Sequence, residues 1–348
     1  MLGVGTFDSK VPVERALTPP AAWYVDKTFF ENEKERVFRN SWQAVGNLGQ
    51  LLNVGDFFSG QFMGQPYVVT RSEDGEIRAF YNVCRHHAAE LVHGQGCQKK
   101  FSCPYHGWTY SLSGDLIGTP RLQGIEDFDK SQFGLKPLAV CVTGSLIWLG
   151  FNRFGQSPNE RFAGVWSSLA ETGFGKLQFH SRRSYEMSCN WKVYVDNYLD
   201  GGYHVSVLHK QLTGQLQLKD YHTEVAENYS LQSCSGQANE RIGAKALYYW
   251  LYPNLMINRY GPVMDINWVV PLAVDRCAVV FDFFFASGTD EKFIAESLVM
   301  SERVQQEDIQ ISESVQRGLD SGAYNVGRYA PQVEHAMHAF HCRLAADF

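Results

Sequence analysis

The sequence predicts an α+β fold, in which a small all-β domain is followed by a domain with an antiparallel sheet and a long C-terminal helix. Three observations predict this fold. Between residues 42 and 154, short strands alternate with turns, and PYVVTRSEDGEIRAFYNV has the pattern of a hairpin around Asp74 and Gly75. Further along, NLMINRYGPVMDINWVVPL and CAVVFDFFF have the composition of sheet strands. The Glu-rich stretch DEKFIAESLVMSERVQQEDIQISESVQRGL has the apolar periodicity of a long helix.

The chain of 348 residues is long enough for two domains. We expect the β domain to span residues 42–154 and the α+β domain to span residues 155–348. An N-terminal helical segment, residues 1–41, precedes them, and we expect it to pack on the larger domain. Its apolar face carries Phe29, Phe30, Val37 and Phe38. The predicted inner face of the C-terminal helix carries Ile294, Leu298, Val304, Ile309 and Ile311.

The composition, with 45% hydrophobic and 20% charged residues, is typical of a folded protein and excludes a largely disordered chain. A net charge of −6 disfavours nucleic acid as the main partner, because phosphate binding needs a basic surface. No apolar run approaches the roughly 20 residues that a membrane-spanning helix needs. The N-terminal stretch also lacks the pattern of a secretion signal. We therefore expect a soluble protein whose cysteines, where histidines lie nearby, bind metal.

One motif pairs cysteine with histidine twice. In CRHHAAELVHGQGCQKKFSCPYHGW, Cys84 and His86 form C-x-H, and Cys103 and His106 form C-x-x-H. Two hairpin loops could each bring one thiolate and one imidazole to a shared site. Two sulfurs on one iron and two nitrogens on the other make a Rieske [2Fe–2S] cluster. The motif therefore predicts a one-electron carrier.

Two other interpretations of this motif remain open. A zinc ion could bind a Cys2His2 set, although zinc fingers pair cysteine with cysteine and histidine with histidine. The residues could also be buried in the β domain without binding a metal. Further candidates lie between the two halves of the motif: His87, His93 and Cys97.

A second constellation lies in YVDNYLDGGYHVSVLHK, which contains His204 and His209. Residues five apart are separated by about 140° on a regular helix, so one helical face would not present both. The adjacent Gly201 and Gly202 suggest a local distortion. Non-haem Fe(II) oxygenases bind iron through two histidines and one carboxylate. The C-terminal helix offers four candidates for that carboxylate: Glu302, Glu307, Asp308 and Glu313.

The two motifs, together with NWKVYVDNYLDGGYHV, NLMINRYGP, EDIQISESVQRGL, GRYAP and HAFHC, resemble the α subunit of Rieske non-haem iron oxygenases. The resemblance covers essentially the whole chain and is nearest to the choline-oxidising members. It implies a Rieske domain, a helix-grip catalytic domain, and both metal centres, with O2 as co-substrate. The residues implied as cluster ligands are Cys84, His86, Cys103 and His106. Those implied at the mononuclear iron are the ligands His204, His209 and Asp308, with Asn197 nearby.

The sequence departs from the family pattern at two positions. His87 occupies a position where the family usually has arginine. The family also has an acid three residues before the first histidine ligand of the iron, which bridges to the cluster of the neighbouring subunit. That position is Gly201 here, so Asp200 is our candidate for the bridge and Asp196 the alternative.

The resemblance implies hydroxylation of a quaternary ammonium substrate, first of all choline to betaine aldehyde hydrate. The alternatives with the same chemistry are N-demethylation of glycine betaine and cleavage of carnitine. Aromatic faces recognise a quaternary ammonium group, and Tyr203, Trp268 and Tyr260 are our candidates for this role. The alternative without enzymatic activity is a Rieske electron carrier, which would be close to the β domain in size.

The expected partners follow from the chemistry. No dinucleotide-binding G-x-G-x-x-G follows a predicted strand, so electrons must come from a separate ferredoxin or flavin reductase. The resemblance implies a head-to-tail homotrimer, in which each cluster serves the iron of the next subunit. The expected location is the cytoplasm, or the plastid stroma for a mature plant form.

Overall fold

The computed structural model describes residues 7–152, 155–213, 215–236 and 241–348. The chain forms two compact units. One comprises Arg39–Pro158, and the other combines Met1–Phe38 with Asn159–Phe348. The predicted domain boundary after residue 154 falls at a pair, residues 153–154, that lies outside the described residues.

The smaller unit is built from short antiparallel strands. A seven-stranded sheet has the order β1-β10-β9-β4-β3-β2-β5, and a three-stranded sheet has the order β6-β7-β8. The predicted hairpin is formed by β3 and β4, with Gly75 at a φ of +85° in its turn. The ten strands are β1 Trp42–Asn47, β2 Asp56–Phe62, β3 Gln65–Arg71, β4 Ile77–Tyr81, β5 Gln95–Cys97, β6 Phe101–Ser102, β7 Thr109–Tyr110, β8 Leu116–Gly118, β9 Pro137–Thr143 and β10 Leu146–Gly150.

The larger unit contains a seven-stranded antiparallel sheet of order β11-β17-β16-β15-β14-β13-β12. Its strands are β11 Leu177–Met187, β12 His222–Val225, β13 Tyr229–Ser235, β14 Lys245–Leu251, β15 Leu255–Tyr260, β16 Val263–Ala273 and β17 Arg276–Ala286. The described helices are α1 Ala22–Val25, α2 Lys27–Glu33, α3 Pro158–Arg161, α4 Ala163–Glu171, α5 Trp191–Tyr198, α6 Val205–Leu208, α7 Lys210–Thr213, α8 Glu291–Asp320 and α9 His335–Ala345. Helix α5 packs against both α8 and β16.

The long helix α8 buries a polar face. Asp290 caps its first turn by accepting the backbone N–H of Phe293. Ile311, predicted to face inward, is 39% exposed, so this part of the prediction is wrong. The buried positions, spaced as one face of a helix, are Ser297, Gln305, Asp308, Ser312, Gln316 and Leu319. Two of these polar groups are held by hydrogen bonds from α5 and the residue before it: Tyr194 donates to Gln305, and the backbone N–H of Asn190 donates to Gln316.

A fully buried ion pair connects the N-terminal segment to α5. The Lys192 ammonium lies 2.8 Å from the Glu33 carboxylate, and both side chains are 0% exposed. The indole N–H of Trp191 also donates to Glu33. Burial raises the pKa of Glu33 and lowers that of Lys192, while the attraction between them opposes both shifts. The pair therefore anchors α5, the helix that leads into the histidine segment.

In the parts of the chain that the structure describes, no helix has the length and apolar character required to cross a membrane.

Candidate metal centres and the adjoining cavity

The two cysteine–histidine loops have the same local geometry. The backbone N–H of Ala88 donates to the carbonyl of Cys84, and that of Gly107 donates to the carbonyl of Cys103, both at 3.0 Å. The donor in each loop has a positive φ, +62° for Ala88 and +74° for Gly107. Each loop thus turns sharply within a few residues. As a result, both cysteines are buried while the histidine beyond each of them lies nearer the surface.

The histidines of the two loops approach each other. The ring centroids of His86 and His106 are 4.8 Å apart. Trp108 supports the pair by stacking on His86 at 4.7 Å. Tyr110 lies beneath, where its hydroxyl accepts the backbone N–H of Arg85 at 2.9 Å and contacts the Cys84 sulfur at 3.4 Å. Nδ1 of His86 is buried, and it has no hydrogen-bond partner among the described residues. A buried nitrogen of this kind is free to bind a metal ion.

His87 also lies close to the pair. One nitrogen each from His86, His87 and His106 lie within 4.8 Å of one another, and the two cysteine sulfurs are not part of this group. A mononuclear zinc ion holds its ligands about 2.0–2.3 Å from the metal, so all four would lie within about 4.6 Å of each other. A two-iron cluster instead separates the sulfur ligands from the nitrogen ligands. The geometry therefore fits the cluster better than zinc.

The other two candidates between the loops lie at the surface. Nδ1 of His93 is 3.4 Å from the Glu90 carboxylate, and the His93 side chain is 77% exposed. Cys97 is exposed on the edge strand β5. The structure does not bring either residue to the histidine group.

The second histidine pair is formed by a break in the helical segment. Helix α5 is followed by Gly201 and Gly202, whose φ angles are +70° and +75°. A side chain at Gly201 would clash, because a Cβ there would lie 2.3 Å from the carbonyl oxygen of Val333. The chain then forms the short helix α6, with His204 before it and His209 after it. The two rings meet with centroids 4.9 Å apart, which a continuous helix would prevent.

Asp308 is the acid on α8 that faces the histidines. Its Oδ1 lies 3.1 Å from Nε2 of His209 and accepts a hydrogen bond from the amide of Asn197 at 2.9 Å. One ligand atom from each of His204, His209 and Asp308 lie within 4.8 Å of one another. The neighbouring Glu307 instead binds Nδ1 of His209 at 2.7 Å.

The other acids of α8 point elsewhere. Glu302 accepts hydrogen bonds from Arg183 and Tyr185, and Glu313 accepts the backbone N–H of Ser188.

Burial lowers the pKa of His209, but the carboxylates of Asp308 and Glu307 outweigh burial and raise that pKa above its ordinary value. This site therefore attracts positive charge.

Asp200 is in contact with the first histidine. Its Oδ2 lies 2.6 Å from Nδ1 of His204, and its carboxylate also accepts the backbone N–H groups of Gly202, Tyr203 and His204. Asp196 faces a different network, in which its carboxylate accepts from Tyr24 and lies 2.9 Å from Nε2 of His341. The structure brings Asp200, and not Asp196, to the histidine pair.

A cavity of about 160 Å³ adjoins the histidines and Asp308. Its aromatic lining consists of Tyr194, Tyr198, Tyr221, Tyr248, Tyr260 and Phe281. Burial raises the pKa of Tyr198, Tyr221 and Tyr260, so their hydroxyls stay protonated.

Of the three aromatic residues expected at the substrate, Tyr260 alone lines this cavity. Tyr203 is 61% exposed and lies outside the lining. Trp268 packs beneath Arg182 at 4.8 Å. Neighbouring residues of a strand point to opposite faces, so Asn267 reaches the cavity while Trp268 does not. Tyr203 and Trp268 thus lie outside the lining of this cavity.

The sequence pattern was not used to predict four polar residues of the cavity lining, namely Arg241, Asn258, Asp265 and Asn267. A signal was present in β16, where Asp265 and Asn267 interrupt an otherwise apolar strand at alternate positions. Polar residues two apart on a buried strand share one face and indicate a functional surface.

Family models match both units of the chain. The Rieske [2Fe-2S] domain matches residues 41–129, and the ring hydroxylating alpha subunit (catalytic domain) matches residues 174–347. The chain belongs to the Rieske non-haem iron oxygenase family, so the predicted family, fold class and cofactors are confirmed. Members bind a Rieske cluster and a mononuclear iron and use O2.

Among individual relatives, the chain is 48% identical to the chloroplastic choline monooxygenase of Arabidopsis thaliana, covering 98% of this chain and 85% of the relative. It is 30% identical to the carnitine monooxygenase oxygenase subunit of Escherichia coli K12, covering 96% and 95%. Among solved structures, a quaternary ammonium Rieske monooxygenase described with carnitine oxidation superposes with a TM-score of 0.90 at 28% identity, covering 95% of each chain.

Proposed function

We propose that this oxygenase hydroxylates a quaternary ammonium compound, with choline to betaine aldehyde hydrate as the principal reaction. The observation that carries the proposal is the position of His204, His209 and Asp308 beside a cavity lined by aromatic rings. The choline-oxidising relatives support choline. The carnitine-oxidising relatives support the alternatives, cleavage of carnitine or N-demethylation of glycine betaine.

For the cluster, we propose Cys84 and Cys103 as ligands of one iron, and His86 and His106 as ligands of the other. The unpartnered Nδ1 of His86 supports this assignment, as does the separation of the sulfurs from the nitrogens. His87 is exposed and is not assigned as a ligand. It adjoins His86 at a ring separation of 4.0 Å, from where it can influence the reduction potential.

For the mononuclear iron, we propose His204, His209 and Asp308 as ligands. When bound, the iron supplies oxygen activation at positions that the three ligands leave open. Asp200 and Glu307 each contact Nδ1 of one histidine, so Nε2 of His204 and of His209 would be the atoms that hold the iron. The Asn197 amide holds Asp308 in position through its hydrogen bond.

The cavity wall binds and orients the substrate. A quaternary ammonium group cannot accept or donate a hydrogen bond, and aromatic faces bind it with roughly 0.5–2 kcal/mol each. Tyr260 remains a candidate for this role, together with the other aromatic residues of the lining. Because the cavity is small and largely apolar, a bound substrate displaces water from the site.

Electrons reach the site from outside the chain. We propose a separate ferredoxin or flavin reductase as donor and a homotrimer in which Asp200 connects His204 to the cluster of the adjacent subunit. The contact between the Asp200 carboxylate and Nδ1 of His204 at 2.6 Å supports this role, and Asp196 is the alternative. The chloroplastic relatives support a plastid location, with the cytoplasm as the alternative.

The test is substrate-dependent O2 uptake with a surrogate reductase, using choline, glycine betaine and carnitine, with product masses. We expect uptake with a trimethylammonium compound and a product 16 mass units heavier, or its breakdown product, because one oxygen atom is inserted. His204→Ala should abolish hydroxylation and leave the Rieske spectrum intact. A pure electron carrier would give a cluster spectrum without substrate-dependent uptake, and that result would refute the proposal.

A further inference from the structure

The tyrosines that line the cavity differ in how their hydroxyl groups are used. They are Tyr194, Tyr198, Tyr221, Tyr248 and Tyr260. Every one of them except Tyr248 donates a hydrogen bond to a side chain of the protein. These bonds run from Tyr194 to Gln305, from Tyr198 to Asn258, from Tyr221 to Gln232 and from Tyr260 to Asp265. The Tyr260 hydroxyl also accepts a hydrogen bond from Arg241. These hydroxyls are therefore committed to the protein.

The Tyr248 hydroxyl has no hydrogen-bond partner among the described residues. The side chain is half-buried, and its hydroxyl oxygen retains accessible surface. Burial of the ring raises the pKa of Tyr248, so the hydroxyl stays protonated and is able to donate. A ligand that displaces water from the cavity would leave this hydroxyl unpaired, at a cost in free energy, unless the ligand itself offers an acceptor.

The register of the sheet directs Tyr248 to the cavity. On β14, Tyr248 is paired with Gln232 of β13 and with Asn258 of β15. Residues paired across an antiparallel sheet share one face, and both of these partners line the cavity. The next residue, Tyr249, points to the opposite face, where its hydroxyl lies 2.6 Å from the hydroxyl of Ser168. The Tyr248 side chain therefore lies on the cavity side of β14.

The Tyr248 hydroxyl also lies close to the segment that carries the histidines. Burial raises the pKa of Tyr221, and the Tyr248 hydroxyl adds to this shift, as two neighbouring hydroxyls do. The ring of Tyr221 packs against Gly202, where a Cβ would lie 3.0 Å from Cζ, the carbon that bears the Tyr221 hydroxyl. Gly202 precedes His204, a proposed iron ligand, by two residues. Tyr248 therefore adjoins the part of the cavity next to the iron site.

Choline carries one group that a tyrosine hydroxyl can recognise. Its trimethylammonium group has neither a donor nor an acceptor, whereas its alcohol oxygen accepts a hydrogen bond. In the proposed reaction, the carbon that bears this alcohol is the carbon that is hydroxylated. A hydrogen bond to the alcohol oxygen would hold that carbon in place. A cation bound by ring faces alone can turn and present an N-methyl group instead.

We propose that the Tyr248 hydroxyl donates a hydrogen bond to the alcohol oxygen of the substrate, and so selects the carbon that bears the alcohol, over the N-methyl groups, as the site of hydroxylation. The inference rests on the proposed function and adds the residue that sets its regiochemistry. It assigns Tyr248 as a specificity-determining residue that contacts the substrate.

Tyr248→Phe tests the inference, because it removes the hydroxyl and keeps the ring. With choline, we expect kcat/KM to fall by about tenfold, as for the loss of one uncharged hydrogen bond. The product should shift from betaine aldehyde hydrate towards formaldehyde and dimethylaminoethanol, because a hydroxylated N-methyl group is released as formaldehyde together with one proton. Ethyltrimethylammonium, which is choline without the alcohol oxygen, should bind the iron-loaded wild type and the variant equally well.

The control is Tyr249→Phe, the same substitution at the adjacent residue on the opposite face of the strand. It should leave the product ratio and the ratio of the two affinities unchanged. The Rieske absorption and the iron content of each variant report whether both metal centres are intact.

Two results in Tyr248→Phe would overturn the inference and leave the proposed function standing. One is a wild-type kcat/KM with a wild-type product ratio, and the other is an equal weakening of choline and ethyltrimethylammonium binding. Wild-type turnover of glycine betaine without turnover of choline would also overturn it, because glycine betaine has no alcohol. A wild type that consumes O2 with no trimethylammonium compound would overturn both the inference and the proposed function.

Discussion

The two metal regions differ in how far apart their residues lie in the chain. The cysteine–histidine loops occupy residues 84–106 and each depends on one tight turn with a positive-φ residue. The histidine–carboxylate site joins residues 204 and 209 to residue 308 on a separate helix. The cysteine–histidine loops have their histidines near the surface. At the second site, His209 is 3% exposed, and carboxylates hold Nδ1 of both His204 and His209. A centre that passes electrons onward needs exposure, and a centre that activates oxygen needs enclosure and precise support.

The prediction with the largest expected effect is that the cluster forms independently of the histidine–carboxylate site. His209→Ala should reduce hydroxylation below detection while the Rieske absorption persists, because the cluster loops form without it. Cys103→Ser should abolish the absorption and, with it, hydroxylation, because the electrons no longer arrive. Visible spectra and O2 uptake of the two purified variants measure both quantities. Loss of the cluster in His209→Ala would contradict the separation.

The larger unit depends on the buried pair Lys192–Glu33, and the next prediction concerns its stability. Lys192→Met leaves a buried carboxylate without its partner and should lower the free energy of unfolding by about 3–5 kcal/mol. Denaturant titration measures the change. The double variant Glu33→Leu with Lys192→Met removes both charges and should recover most of the loss. A double variant as unstable as the single one would argue against the uncompensated charge as the cause.

A smaller effect is expected from substituting a carboxylate that contacts Nδ1 of an iron-site histidine, as Glu307 does at His209. Glu307→Gln should weaken iron binding or turnover by about 10–100-fold, because the partner that orients His209 loses its charge. Glu313→Gln, which alters an acid on the same helix that binds the Ser188 backbone, serves as the control. Iron affinity and turnover measured together decide the outcome. Equal losses of iron affinity and turnover in the two variants would indicate a general disturbance of helix α8 and would contradict a specific role for Glu307.

The smallest effect is expected at the surface of the first region. His87→Arg places a permanent positive charge beside His86, and should raise the reduction potential of the cluster, because positive charge favours the added electron. A redox titration followed by visible absorption measures the shift. The control is His93→Arg at an exposed position outside the histidine group. An unchanged or lower potential in His87→Arg would contradict an electrostatic role for residue 87.

The same difference in chain separation explains what the sequence could predict. The sequence could predict the pairing of Cys84 with His86 and of Cys103 with His106, because each pair lies in a short local motif. The hairpin at Gly75 was predictable for the same reason. The choice of Asp308 over Glu307 depends on tertiary geometry, because adjacent helical residues point about 100° apart and only packing decides which one faces the histidines. The residue pattern alone left that choice open, and only the family resemblance implied Asp308.

The cavity was the least predictable part. Trp268 has the right side chain for a cation, but strand alternation directs it away from the cavity, and Tyr203 is exposed. Ile311 was expected inside because apolar residues usually face the core, yet α8 buries its polar face against the site. Arg241 lies in a loop with no periodicity, so no sequence pattern indicated its approach to Tyr260.

The central claim is that the chain binds a two-iron cluster and a separate mononuclear iron, and metal analysis of wild type and Asp308→Ala tests it most directly. The wild type should contain about three irons per chain, two in the cluster with two acid-labile sulfides and one at the histidine–carboxylate site. Asp308→Ala should retain the cluster absorption and contain about two irons, because it removes a proposed ligand of the single iron alone. Zinc in a colourless wild-type protein, or an unchanged iron content in Asp308→Ala, would contradict the account.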